Sequence, residues 1–255
     1  MTNQNNSHHP WKYNHLEKVA KTGDLIFANG TSPGSKIIER VSDGEWSHVG
    51  MIIRKADLHL AGFTPSASLP DLLVLESTDL DNLPDIVTGT YKAGVMLVPL
   101  QDRFYTDVAG DLDEATFGYR PYQCVGQPAS DTSNLTTEQL TRLTNFISYV
   151  HGTPQASHVR MMGEYGAGLI GLYVSMETYF CSKLIAQAYI AMGLLPSTTV
   201  PNGLSPDDFA NSTTPASPDD DTNTKGTLKL LFGSLGQFHY VAAPLSPATE
   251  SVHST

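Results

Sequence analysis

Short continuous apolar runs and longer helical stripes follow one another along the chain. Leu25, Ile26 and Phe27 form an apolar run between the turn pairs Gly23-Asp24 and Asn29-Gly30, which predicts a strand after a short helix within 11–22. SPGSKIIERVSDGEW predicts a helix starting near Ser32 or Ser35 and closed by Gly44. SHVGMIIR follows, apolar at Val49, Met51, Ile52 and Ile53, and therefore reads as a strand covered on both faces, central rather than at an edge. DLLVLES (71–77) predicts a third strand and GVMLVPL (94–100) a fourth, ended by Pro99. Residues 55–70 are irregular, and 101–135, rich in Asp, Gly, Pro and Tyr, read mostly as loop with room for a short helix.

The second half of the chain is more helical. Thr136 or Thr137 caps a stripe of Leu140, Leu143, Phe146, Ile147 and Val150 that Gly152 and Pro154 terminate. The glycine-rich MMGEYGAGLIGLYVS is apolar and fits either a closely packed helix or a pocket-lining insert. In YFCSKLIAQAYIAMGL, residues Leu184, Ile185, Ala188, Tyr189 and Met192 recur at the spacing of a buried helix face. Ser205-Pro206-Asp207-Asp208 is a further helix start. Residues 212–226 read as an acidic mobile loop, GQFHYVAA as a last strand, and the stretch from Pro244 as a disordered tail. No repeat and no clean linker interrupts this order. It predicts one α+β domain over 16–243, between a polar leader (1–15) and a tail (244–255).

The net charge of −11 and the lack of any Lys/Arg run argue against nucleic acid or an anionic membrane as partner. No apolar run approaches the roughly 20 residues of a transmembrane helix, and MTNQNNSHHPWKYNH lacks the pattern of a secretory signal. The expectation is a cytoplasmic protein, or one exported by a route that reads no cleavable signal. His8 and His9 belong to the leader rather than to a metal site. Cys124 and Cys181 offer neither metal-ligand spacing nor a disulfide framework, and without a signal a reduced pair is the simpler expectation. No cofactor is implied.

Cys181 sits where the apolar approach Tyr179-Phe180 meets a helix start, close to the positive end of the dipole and to free amide hydrogens that favour a thiolate. A small buried core cysteine would show the same local pattern. A thiol nucleophile needs a base, and nine histidines are available. His8, His9, His15 and His253 lie in polar termini, His59 and His158 in loops, and His151 ends a helix, where a positive imidazole suits the dipole. His239, in QFHYV, competes with His48, which opens an apolar strand directly after a turn. Glu76 follows the buried run LLVL, where an unpaired carboxylate would be costly unless it met an imidazole. Asp79 and Asp81 are the alternative partners.

GDLIF, a helix, SHVGMII, VLES and a late YFCSKLI together resemble the circularly permuted branch of the NlpC/P60 papain-like superfamily, of YaeF/YiiX type, related more distantly to the lecithin retinol acyltransferases. The resemblance covers about 22–100 and 178–211, including SPDDFA, and leaves 101–177 as an unmatched insertion. It implies an antiparallel sheet or half-barrel packed against the cysteine-bearing helix, and a catalytic order histidine, polar residue, cysteine: His48, Glu76, Cys181. The implied activity is that of a cysteine hydrolase. An amidase or endopeptidase cleaving bacterial cell-wall peptides comes first, acting in recycling of wall fragments or as a secreted antibacterial effector with a delivery or immunity protein as partner. A lipid acyltransferase or esterase that uses 161–175 as an acyl wall is the second possibility, and a non-catalytic binding module the third.

Overall fold

A computed structural model describes residues 10–29, 44–109, 116–124, 132–174, 177–211, 228 and 230–242. The helix expected from Ser32 to Gly44, the acidic stretch 212–226, His8, His9, His253 and the tail from Pro244 fall wholly or almost wholly outside these residues.

Six strands form one antiparallel sheet. They are β1 (Leu25–Asn29), β2 (His48–Arg54), β3 (Leu72–Thr78), β4 (Gly94–Pro99), β5 (Thr116–Arg120) and β8 (His239–Val241), in the order β4-β3-β2-β1-β5-β8. β6 (Tyr122–Gln123) and β7 (Ser234–Leu235) make a small separate pair. Six helices accompany them among the described residues: α1 (Tyr13–Val19), α2 (Leu100–Ala109), α3 (Thr137–Val150), α4 (His158–Leu169), α5 (Cys181–Ala191) and α6 (Pro206–Ala210).

Strand alternation divides the core into two layers. Val49, Met51 and Ile53 of β2 and Leu73 and Leu75 of β3 face α5 and the buried stripe of α3, Leu143, Phe146, Ile147 and Val150. Ile52, Leu72, Val74 and Met96 face the other way, against Leu16 of α1 and Leu100 and Phe104 of α2. β2 is therefore central and covered on both sides, as its unbroken apolar run predicts. The capping box on α3 is complete: Gln139 N–H donates to the Thr136 hydroxyl and Thr136 N–H to the Gln139 side chain.

The interval 101–135 holds the short helix it leaves room for, α2, and departs from its loop reading at β5, which stands between β1 and β8 inside the main sheet. The glycine-rich segment resolves as the helix α4, packed so closely on the turn Pro201–Gly203 that a Cβ on Gly168 would lie 2.3 Å from Gly203 N.

Buried Asp24 joins three parts of this frame. Its Oδ1 accepts from Tyr122 N–H at 2.8 Å, and its Oδ2 from Lys21 N–H at 2.7 Å and the Tyr119 hydroxyl at 2.6 Å. Asp24→Ala leaves all three donors without that acceptor and is expected to cost about 3 kcal/mol or more, whereas Tyr119→Phe, which deletes one donor, costs about 1 kcal/mol. Urea denaturation of the two variants beside wild type checks the order; equal losses would contradict it.

Candidate active site

Cys181 is the first residue of α5, and its N-cap Phe180 contributes no side-chain bond to the first-turn amides. The approach to it is fixed from two sides. Tyr179 N–H donates to Pro154 O at 3.2 Å and Ala156 N–H to Tyr179 O at 2.8 Å. The Ser77 hydroxyl of β3 donates to the same Tyr179 carbonyl at 3.1 Å. Tyr179 itself is 1% exposed, with its ring 5.7 Å from Lys183 Nζ, and serves as core packing.

The pairing of Met51 with Leu75 puts His48 and Glu76 on one face of the sheet, the face that α2 covers. α5 packs on the opposite face and brings its N-terminus to the end of β2, where Cys181 Sγ lies 3.9 Å from Ser47 O. His48 stands between thiol and carboxylate. It donates Nε2–H to Glu76 Oε2 at 2.9 Å and lies near enough to Cys181 for the thiol to raise the imidazole's affinity for a proton. Cys181 is 4% exposed and Glu76 1%, while the His48 side chain keeps 24% of its surface, so the imidazole is the open member of the group.

The other histidines are placed elsewhere. His239 stacks on Trp11 at 3.9 Å between ring centroids. His151 Nε2 bonds both carboxylate oxygens of Asp85 at 3.0 Å, tying the end of α3 to the loop before β4. His158 lies 3.5 Å from Asp79, and Asp81 is exposed, so Glu76 is the acid that meets His48. Cys124 and Cys181 are not joined in a disulfide. Among the described residues no group of three or more His, Cys, Asp or Glu side chains is placed to hold a metal ion.

Two further contacts have no local signal in the sequence. Arg103 of α2 donates to Glu76 Oε1 through Nε at 2.7 Å and through Nη2 at 2.5 Å, and its Nη1 reaches Asn82 Oδ1 at 2.9 Å. On the far side of β2, the Asp207 carboxylate of α6 accepts from Glu45 N–H at 2.9 Å and from Trp46 N–H at 3.3 Å. It thereby anchors the chain immediately before His48.

Charge follows this geometry. Burial alone would raise the Glu76 carboxyl, but the Arg103 charge and the bonds from His48 and Arg103 bring it down to about 2. Burial alone would lower the His48 imidazole, but bonds to Cys181 and Glu76, and their negative charge, carry it up to about 10. Glu76 is depressed, so its contribution to stability is full above its ordinary 4.5 and lost as pH falls through about 2. His48 is raised, so its contribution is full below 6.5 and lost as pH rises through about 10. The difference in denaturation midpoint between wild type and His48→Ala is therefore expected to be widest between those ordinary values and to shrink toward alkaline pH. A difference that grows toward alkaline pH would contradict the pairing.

The fold is a mixed α+β arrangement with an antiparallel sheet, and the site is a thiol, an imidazole and a carboxylate in contact sequence. No protein-family profile and no curated protein matches the chain. Among solved structures it is similar to the metalloprotein YiiX of Escherichia coli O157:H7, described as DUF1105, at 19% identity and a TM-score of 0.39. The likeness covers 67% of this chain and 65% of that one, so the chain spans about two thirds of that neighbour's length. Among the described residues no helix is long and apolar enough to cross a membrane.

Proposed function

We propose that the protein is a cysteine hydrolase of the permuted papain-like, NlpC/P60 type, acting as an amidase or endopeptidase on bacterial cell-wall peptides. The observation that carries this reading is the position of the His48 ring, beside the Cys181 thiol and bonded through Nε2 to the Glu76 carboxylate. Isolated core cysteines have no need of an imidazole backed by a buried acid.

In this reading Cys181 Sγ attacks the substrate carbonyl carbon, and the C–O π pair moves onto oxygen. The uncapped first-turn amides of α5 are the donors for that oxyanion. The C–N bond then breaks, and the leaving amine takes the proton held by His48. Water loses a proton to the imidazole as it attacks the thioester, and collapse of the second oxyanion expels the sulfur and frees the acid. Glu76 holds the ring throughout through Nε2–H.

One observation favours lipid acyl transfer as the second reading. Val159, Leu169 and Ile170 of and beside α4 are 78%, 56% and 74% exposed, an apolar surface suited to acyl chains. Wild type and Cys181→Ala incubated with purified peptidoglycan and, separately, with phospholipid vesicles separate the two, the products being identified by mass. Muropeptide fragments released by wild type alone support the peptidase reading; lysophospholipid or acylated products from wild type alone replace it with the lipid one. Identical products from both proteins on both substrates remove the hydrolase.

A further inference from the structure

The carboxylate behind His48 is shared with a second cation. Glu76 is 1% exposed, and its two oxygens serve different donors. Oε1 accepts both N–H groups of Arg103, and Oε2 accepts His48 Nε2–H. Arg103 is itself 5% exposed and comes from α2, within the insertion that the sequence resemblance leaves unmatched. We propose that Arg103 is a positioning residue of the thiol centre: by occupying Oε1 it fixes the carboxylate, keeps it ionised and reserves Oε2 for His48, so that Cys181, His48, Glu76 and Arg103 work as one chain of four.

The inference rests on the proposed thiol chemistry and follows from what removal of Arg103 would do. A buried carboxylate without its guanidinium gains affinity for a proton. Once protonated it no longer draws Nε2–H, the imidazole loses its fixed orientation, and the positive charge beside sulfur loses its support. Among the groups that face this pair are His48 from β2, Cys181 from α5 and Asn82 from the loop after β3. None of them supplies a second cation to Oε1. Arginine suits the position better than lysine because two N–H groups of one planar fork converge on the same oxygen.

The test is the rate of iodoacetamide alkylation of Cys181 from acid to alkaline pH, followed by peptide mass, with the melting temperature of every variant measured in parallel. Arg103→Met is expected to lower the rate about tenfold in mild acid and to move the acid limb upward by about one pH unit, with rates converging in alkali. Arg103→Lys is expected to fall between the two. On a Glu76→Gln background, adding Arg103→Met is expected to change the profile less than about twofold, because no carboxylate remains to be held. A profile for Arg103→Met that superimposes on wild type, whatever its melting temperature, overturns the proposal. If the methionine variant does not fold, superposition of the lysine profile on wild type does the same. Wild-type labelling no faster than that of a cysteine peptide would instead sink the thiol centre itself, which keeps the two failures apart.

Discussion

Replacing His48 with alanine is expected to slow iodoacetamide alkylation of Cys181 about 100-fold at pH 7, within the range that a positioned acid–base partner supplies. The reason is that, among the described residues, the imidazole is the base set beside the sulfur. The described neighbours of Sγ are the Ser47 carbonyl, which is no base at neutral pH, and the imidazole. His48 is also the exposed member of the group, so the same substitution removes the face past which a reagent reaches the 4% exposed thiol. His48→Gln, closer in size, separates access from chemistry. It should label as slowly as the alanine variant if proton handling governs the rate, and near wild type if bulk does. Unchanged labelling in both variants would reduce Cys181 to a packed core thiol.

The largest stability loss is expected at the buried ion pair between Glu164 of α4 and Lys183, two residues further along α5. Lys183 is fully buried, with Nζ 2.7 Å from Glu164 Oε2 and 3.0 Å from Thr178 O. Glu164, 3% exposed, also accepts from Arg160 Nε at 2.8 Å and from the Thr178 hydroxyl at 3.2 Å. The two deletions are therefore unequal. Glu164→Ala strips a buried ammonium of its carboxylate and is expected to cost about 3–5 kcal/mol. Lys183→Met leaves Glu164 with Arg160 and the threonine and should cost distinctly less. Lys183→Met combined with Glu164→Leu should recover most of the loss, because no charge is then left buried alone. Chemical denaturation of the three variants checks the ranking; additive losses in the double variant would contradict it. The pair also ties α4 to the segment 177–180 that leads into Cys181, so α4 braces the start of α5.

Much of this arrangement was legible from residue order. β1 to β4, α3 and α5 are each bounded by turn or cap residues and filled by one periodicity, so local chemistry and tertiary placement agree. The pairing of His48 with Glu76 was legible for an energetic reason: a carboxylate ending a buried strand needs a partner. β5 was not legible, because TFGYR carries residues whose purpose is tertiary. Gly118 is small because the Phe238 ring lies where its Cβ would be, 2.1 Å away, and Arg120 is buried because it donates to the carbonyls of Gly236 and Phe209. Arg103 escaped for the same reason. It lies 27 residues from Glu76, on a helix whose LQDRFYTDVA reads as polar loop until the sheet is assembled beneath it. The clamp of Asp207 on Glu45 and Trp46 spans 162 and 161 residues, a distance over which no spacing rule operates.

The central claim is that the sulfur of Cys181 forms and releases an acyl bond with the help of His48. Intact-protein mass spectrometry after brief exposure to p-nitrophenyl acetate tests it most directly. The account predicts one acetyl group per chain, mapped to Cys181, gained quickly and lost on standing by the wild type, and absent from Cys181→Ala and His48→Ala. Acetylation of the wild type no faster than that of the urea-denatured chain, or unaffected by His48→Ala, would contradict it.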